Sequence, residues 1–423
     1  MLKYGVLLDN SVLRLLPDMS YELLEVSTDK LTNLADYVAI AITCQLDQMW
    51  IYPMTEASNA FENYTDDFVK CPLPRKFVYP YSDLQPALQI TNIYYQTLTI
   101  VFSEYIVIGE KVNKPVSPEG FLKYIAGIEI LLGVPFQYDT QSIGRMILEK
   151  TIPDRLKWSP CNMRLFYENV VKDRSFYRSI TEEEAIEYPY FHMIDMNAAY
   201  FAACNALPVG IGKCAHMFTP FDYHLQGLWN VKILHDPLET TGLPLGLLDS
   251  GWHPTCLVST AYACGYKMDV LESYVFNDTS YILQEWYDKI EHCMTIDTNG
   301  MYKETLKYIR NGFLGMLKKE PSKGQKKKWY SRPDIRSALV GQSICSMYTA
   351  IVRLMMKGNI VTYMNTDSLG FLSRETFELS LPDKVCISKN VGDFKHVCTL
   401  SSLDVLNVGN TKSELKVLIG GIG

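Results

Sequence analysis

Apolar and polar positions alternate along this chain with a period that changes repeatedly, and the changes mark out its elements. Strand-like runs are read at Tyr37–Thr43, Met49–Tyr52 and Leu98–Ile108, and helical stretches at Gly120–Leu132 and Gln141–Lys150. Together they predict an α/β domain over residues 1–157. From Trp158 the pattern shifts. Leu228–Leu234 alternates, Thr255–Gly265 reads as an apolar helix and Met268–Phe276 as a strand, so a mixed sheet with helices behind it is expected over 158–277. Within 278–319 two long helical patterns, Ser280–Met294 and Tyr302–Leu317, flank the breaker segment Thr295–Gly300 and predict a helical hairpin. Residues 320–423 are expected to hold a helix over Pro333–Met356 and two short strands around a tight turn within Asn359–Leu372. A terminal hairpin is expected over Leu403–Ile422, turning near Gly409–Thr411.

Composition narrows the class. With 423 residues, 48% of them apolar, the chain can bury substantial cores in two or three packed units, which excludes disordered and fibrous classes. It shows neither a signal peptide nor a run of about 18 apolar residues, so the expectation is a soluble protein with no membrane partner, cytoplasmic in a bacterial host cell. The 11 cysteines form no CxxC pair and are scattered from Cys44 to Cys398, the pattern of reduced, mostly buried thiols. A net charge of −7 argues against a protein coated in DNA-binding charge. A nucleic-acid enzyme needs only a local basic track, however, and Lys318, Lys319, Lys323, Lys326, Lys327, Lys328 and Arg332 supply one.

Three constellations carry candidate chemistry. In Ile194–Tyr200 an apolar strand end delivers the Asp195 carboxylate into a turn that enters a helix. In Val361–Ser368 a hairpin turn projects Asp367 between two apolar strands. Taken singly, an Asp in a turn is ordinarily a turn former. On the second helix of the hairpin, Lys307, Arg310 and Asn311 are spaced to share one face, which suits a triphosphate or, as the bland alternative, a solvated surface.

Taken together in this order, the three resemble motifs A, B and C of family B DNA polymerases, of the small phage and plasmid type related to protein-primed polymerases. Motif A, DxxSLYPS, matches at Asp195 and Tyr200; motif B, KxxxNSxYG, at Lys307, Asn311 and Gly315; motif C, YxDTDS, at Tyr363, Thr366, Asp367 and Ser368. Gly392-Asp393-Phe394-Lys395 looks like the segment that follows motif C in such members. The departures are Ala198, Ala199 and Phe201 in motif A, Gly312 and Leu314 in motif B, and Asn365 in place of the first Asp of motif C.

The resemblance implies an α+β fold: a right-hand palm with short helical fingers over 278–319, the thumb reduced or absent, and an RNase H-like α/β domain in front. That domain offers Glu22, Glu25, Asp29 and Asp36 but no D-x-E triplet, so it is expected not to be an active exonuclease. The resemblance further implies two Mg²⁺ ions, with Mn²⁺ as a substitute, held by the catalytic carboxylates of Asp195 and Asp367 and the carbonyl of Met196. Tyr200 would lie beneath the sugar and exclude a 2′-hydroxyl, while Lys307, Arg310, Asn311 and Gly315 would bind the nucleotide. Tyr363, Thr366, Lys326, Lys327, Lys328, Arg332 and Lys395 would contact DNA, with Trp329 and Tyr330 as stacking groups. The implied partners are primer-template DNA and dNTPs, with a terminal protein or processivity partner. The implied reaction is Mg²⁺-dependent extension of a DNA 3′ end, with protein-primed or primer-independent initiation left open. Two other readings compete: a catalytically silent, polymerase-like DNA-binding factor, and a nuclease, for which the N-terminal region lacks clustered acids.

Overall fold

The computed structural model describes residues 2–27, 34–51, 75–78, 87–91, 97–102, 106–108, 113–115, 117–137, 140–151, 164–239, 243, 246–317, 330–408 and 412–420. Their contacts divide the chain into two units, residues 1–151 with 289–313, and residues 152–288 with 314–423.

The first unit is built on a seven-stranded sheet. Its strands are β1 (Tyr4–Leu7), β2 (Ser11–Leu15), β3 (Tyr21–Glu25), β4 (Gln48–Ile51), β5 (Arg75–Val78), β6 (Ala87–Thr91) and β7 (Thr97–Phe102). In space they run β3-β2-β1-β4-β7-β6-β5, with β1–β4 and β4–β7 parallel and the remaining pairs antiparallel. A separate small hairpin joins β8 (Ile106–Ile108) to β9 (Asn113–Pro115). The central strands β1 and β4 are buried on both faces and, Gln48 apart, read as apolar runs, as parallel strands do. The helices of this part are α1 (Leu34–Thr43), α2 (Pro118–Leu132) and α3 (Thr140–Thr151). Signals in the sequence fix the ends of α2: Ser117 Oγ accepts from the Gly120 N–H, Pro118 opens the first turn, and Gly133 closes the helix in the left-handed region. The expected strand at Tyr37–Thr43 is instead α1, whose buried positions Tyr37, Val38, Ile40 and Ala41 follow a helical period.

The second unit contains α4 (Arg164–Glu168), β10 (Ser175–Tyr177), α5 (Glu182–Glu187), β11 (Tyr190–Met196), α6 (Ala199–Ala206), β12 (Val209–Met217), β13 (Gln226–His235), β14 (Gly251–Pro254), α7 (Thr255–Ala263) and β15 (Lys267–Ser280). After the helical hairpin of α8 (Gln284–Ile296) and α9 (Lys303–Met316) come α10 (Pro333–Met356), β16 (Ile360–Asn365), β17 (Ser368–Ser373), α11 (Phe377–Ser380), β18 (Phe394–Ser401), α12 (Ser402–Val408) and α13 (Lys412–Gly420). A five-stranded sheet has the order β10-β16-β17-β11-β18, and a four-stranded sheet the order β12-β15-β13-β14; every neighbouring pair in both is antiparallel. The long helix α10 has the length and hydropathy of a membrane span but is mostly buried in this core, where Val340, Ile344, Met347, Tyr348 and Ile351 join residues of both sheets.

The terminal hairpin expected over Leu403–Ile422 is instead the pair α12 and α13. Ser402 and Val405 are buried, with Leu406 partly so, on one side of α12, and Leu415 and Leu418 repeat that spacing on α13. The described cysteines carry reduced thiols, five of them buried.

The helical hairpin contributes most of α8 and α9 to the first unit. The Tyr124 hydroxyl lies 2.5 Å from Thr305 Oγ1, the Tyr124 and Tyr302 rings are 5.2 Å apart, and a Cβ on Gly127 would collide with the Tyr302 hydroxyl.

Candidate active site

The five-stranded sheet brings the ends of three strands together. Asp195, near the end of β11, lies directly opposite Ser368 on β17 and Lys395 on β18. Side chains of directly opposed residues have Cβ atoms about 4.5–5.5 Å apart. Thr366 and Asp367 form the two-residue turn between β16 and β17, and the Met196 N–H donates to the Asp367 carbonyl at 2.7 Å. Two carboxylates far apart in sequence therefore meet at one sheet end.

Unusual backbone accompanies both. Ala198, after Asp195, has φ +52°, and Thr366, before Asp367, has φ +60°. The left-handed region is costly for a β-branched residue, and such strain persists only where surrounding contacts over-determine it. Here the Thr366 N–H donates to the Arg174 carbonyl at 3.0 Å, while the Asn197 N–H donates to the Asp393 carbonyl at 2.8 Å and Asn197 Nδ2 to the Ser388 carbonyl at 2.8 Å.

Both oxygens of Asp195 have protein partners: Oδ1 accepts from the Ser368 hydroxyl at 2.6 Å, and Oδ2 pairs with Lys395 Nζ at 2.6 Å. Burial pushes the Asp367 carboxyl up to about 6, with the Asp195 charge acting in the same direction and Lys395 partly opposing it. A carboxylate pair whose joint ionisation is this unfavourable suits a divalent cation. Mg²⁺ commonly takes one or two carboxylates and completes its shell with phosphate oxygens and water. Among the described residues there is no group of three or more His, Cys, Asp or Glu that could hold a metal.

Tyr200, on the first turn of α6, donates its hydroxyl to Asp173, and the Arg336 guanidinium lies 4.8 Å from its ring centroid. Burial raises its pKa, the Asp173 bond and charge add to the effect, and the Asp367 charge contributes too. Asp173 and Arg336 touch Tyr200 but carry no role in the sequence reading, and Ser368, which bonds Asp195, enters that reading only as a motif C match. Asp173 sits in an irregular charged stretch and Arg336 near the start of a long, mostly buried helix, so no local pattern singled them out.

Several expected site residues are placed differently. Arg332 is buried, bidentate on Asp334, bonded to the Gly210 carbonyl and 5.2 Å from the Phe276 ring, so it is a core ion pair and not a phosphate contact. Tyr330 is buried and does not offer a stacking face. Tyr363 is 1% exposed inside the β11–β16–β17 packing, which removes it as a DNA contact; burial and the two carboxylates raise its pKa. Lys395 sits on Asp195.

On α9, Lys307 is half exposed and 3.6 Å from Glu304, and Asn311 is exposed. Arg310 is only 8% exposed and lies against Asn311, so it does not share their open face. Gly315 has open space where a Cβ would stand. Lys307, Arg310 and Asn311 belong to the first unit, whereas the carboxylate pair, Tyr200 and Gly315 belong to the second. Lys326, Lys327, Lys328 and Trp329 lie outside the described residues.

No protein-family model matches the chain, and no curated protein matches it. Solved structures do. Phi29 DNA polymerase complexed with primer-template DNA is 11% identical, with a TM-score of 0.59, and the match covers 94% of this chain and 84% of that one. The ternary complex of the same polymerase, with primer-template DNA and incoming nucleotide substrates, gives a TM-score of 0.59 at 11% identity over 94% and 85% of the two chains. Its complex with single-stranded DNA gives 0.56 at 12% identity over 94% and 85%. The mixed α/β chain, with its several sheets, thus shares the fold of phi29 DNA polymerase, a protein-primed family B polymerase.

Proposed function

We propose that this chain is a template-directed DNA polymerase that adds deoxynucleotides to a DNA 3′ end, in phage or plasmid replication. The observation that carries the reading is the meeting of Asp195 and Asp367 at one end of the five-stranded sheet, with the Asp367 carboxyl pushed up to about 6 by burial and by its neighbour's charge. Two Mg²⁺ ions, or Mn²⁺, held there by Asp195, Asp367 and the Met196 carbonyl would supply charge stabilisation to the attacking 3′-hydroxyl and the leaving pyrophosphate.

Phosphoryl transfer asks the protein mainly for positioning and electrostatics, and the residues divide that work. Ser368 holds one oxygen of Asp195 and so fixes its rotamer. Tyr200 lies beneath the sugar. Lys307 and Asn311, both accessible on α9, are the groups assigned to the triphosphate, with Gly315 beside them in motif B. Lys326, Lys327 and Lys328 are assigned to the phosphates of the primer-template duplex. Lys395 becomes available to a DNA phosphate once Asp195 takes a divalent cation. Proofreading is left out of the reading: β1 is wholly apolar, and the next acid, Asp9, opens Asp9-Asn10-Ser11 rather than a D-x-E triplet. A terminal protein or processivity partner would set the priming mode.

One observation favours the silent DNA-binding alternative: the Lys395 ammonium stands against Asp195 where a cation would bind. Primer extension decides. With primer-template, dNTPs and Mg²⁺ the chain extends the primer, and Asp367→Ala abolishes extension. Extension undiminished in that variant, or none in the wild type, ends the reading.

A further inference from the structure

The Tyr200 ring is held from two directions by side chains that lie outside all three motifs. Its hydroxyl donates to Asp173 Oδ1, and the Arg336 guanidinium covers its face at 4.8 Å from the centroid. Asp173 precedes β10 and Arg336 lies on α10, so the contacts come from separate parts of the unit. The Asp173 segment is itself fastened at several points. Val171 N–H donates to Ser337 Oγ at 3.1 Å, next to Arg336. The Arg174 carbonyl accepts the Thr366 N–H at 3.0 Å, Arg174 Nη1 donates to the Gly246 carbonyl at 2.5 Å, and Ser175 pairs with Asn365. Asp173 is therefore tied on one side to α10 and on the other to the turn that carries Asp367. The phenol stays protonated across the working pH range and can only donate to that carboxylate, so the contact has one fixed polarity.

We propose that Asp173 and Arg336 are positioning residues that clamp Tyr200 beside the Asp367 carboxylate, and that this clamp sets how strongly the site rejects a ribonucleotide. The inference rests on the reading of Tyr200 as the residue beneath the sugar. A ring attached through two rotatable bonds yields to an added hydroxyl unless its edge and face are both held. Rejecting a group that adds only a hydroxyl is difficult for a pocket that can relax and demands a wall that does not move. The bond to Asp173 fixes the far end of the ring and the stacked guanidinium fixes its tilt.

The test compares ribo- and deoxynucleotide incorporation, each as kcat/KM. Asp173→Ala should raise the ribo-to-deoxy ratio about tenfold, the loss expected from one charge-assisted hydrogen bond. Asp173→Asn keeps an acceptor oxygen in the same place and should stay within about threefold of the wild type. Tyr200→Phe breaks the same bond from its other end, so combining it with Asp173→Ala should add nothing beyond the larger single effect. A ratio unchanged in Asp173→Ala, or fully additive effects in the double variant, overturns the inference. An arm independent of activity uses 3-fluorotyrosine at position 200: its ¹⁹F resonance should shift and broaden in Asp173→Ala and in Arg336→Leu, and an unmoved resonance in both removes the clamp. A wild type that extends no primer with any nucleotide sinks the polymerase reading, and the specificity role with it. Extension with an unmoved ratio sinks this inference alone.

Discussion

Burial beside Asp195 makes the ionised Asp367 carboxyl a destabilising group, and its cost is measurable. Its pKa is raised from 3.8 to about 6, so the folded state is penalised when the group ionises. By linkage, the stability associated with its neutral form is complete below its ordinary value and is lost as pH rises through about 6. The raw shift corresponds to about 3 kcal/mol, which partial exposure and solvent screening reduce to about 1 kcal/mol. Asp367→Asn should therefore stabilise the chain by about that amount at pH 8 in EDTA, and by far less at pH 4, as read from urea midpoints. Equal effects at the two pH values would show that the penalty is not electrostatic. Lys395 bears on the same pair. Its half-exposed contact with Asp195 contributes roughly 0.5–1 kcal/mol. In Lys395→Met, Mn²⁺ followed by electron paramagnetic resonance should bind about two- to fivefold more tightly, and weaker binding would show that Lys395 does not compete with the cation. Asp195 and Asp367 were legible in the sequence only together: each alone reads as a turn former, and the order of the three motifs is what singles them out. Arg332 misled because it closes a run of positive charge, yet Asp334, two residues on, neutralises it inside the core. Asp173 and Arg336 acquire meaning only through Tyr200, which neither neighbours in sequence.

At the scale of elements, what positions the site is close packing between strands. Gly370 on β17 faces Met193 of β11 and Tyr363 of β16, and a Cβ there would lie 2.6 Å from Phe191 Cζ and 3.0 Å from Tyr363 Cβ. Both rings are fully buried, so neither can give way without moving a strand. Gly370→Ala should destabilise the chain by about 1–3 kcal/mol and lower primer extension more than stability alone explains, because the displaced strand follows directly on the turn that carries Asp367. A midpoint within about 0.3 kcal/mol of the wild type, with full activity, would show that the strands relax freely. Element type was readable where period and caps agreed. Pro333 and its helix, the breaker before α9 and the alternation of β13 all fell where expected. The failures at α1 and at α12–α13 share one cause. Valine, isoleucine and leucine in short segments satisfy strand propensity and helix period alike, and only the burial pattern, which depends on tertiary partners, decides between them.

At the scale of the whole molecule, the chain leaves its first unit at residue 151, returns to it at 289 and leaves again at 313. Amphipathic helices announce that they need a partner but not which one, so the sequence names the hairpin over 278–319 without saying what it packs on. Side-chain contacts join Tyr302, Thr305, Ile309 and Phe313 to Tyr124, Gly127 and Gly144. Ile290, Cys293, Leu306, Ile309 and Phe313 are all completely buried. Withdrawing even three of these side chains forfeits roughly 5–9 kcal/mol of burial, as much as an ordinary domain has in total. Residues 1–151 expressed alone should then lack a cooperative thermal transition and bind a hydrophobic dye. The same segment joined through a flexible linker to residues 289–313 should recover a sharp melt, since a linker costs only a modest loop-closure entropy. A cooperative melt of 1–151 alone, unshifted by adding 289–313, would mean that the helical pair is a passenger on this unit rather than part of its core.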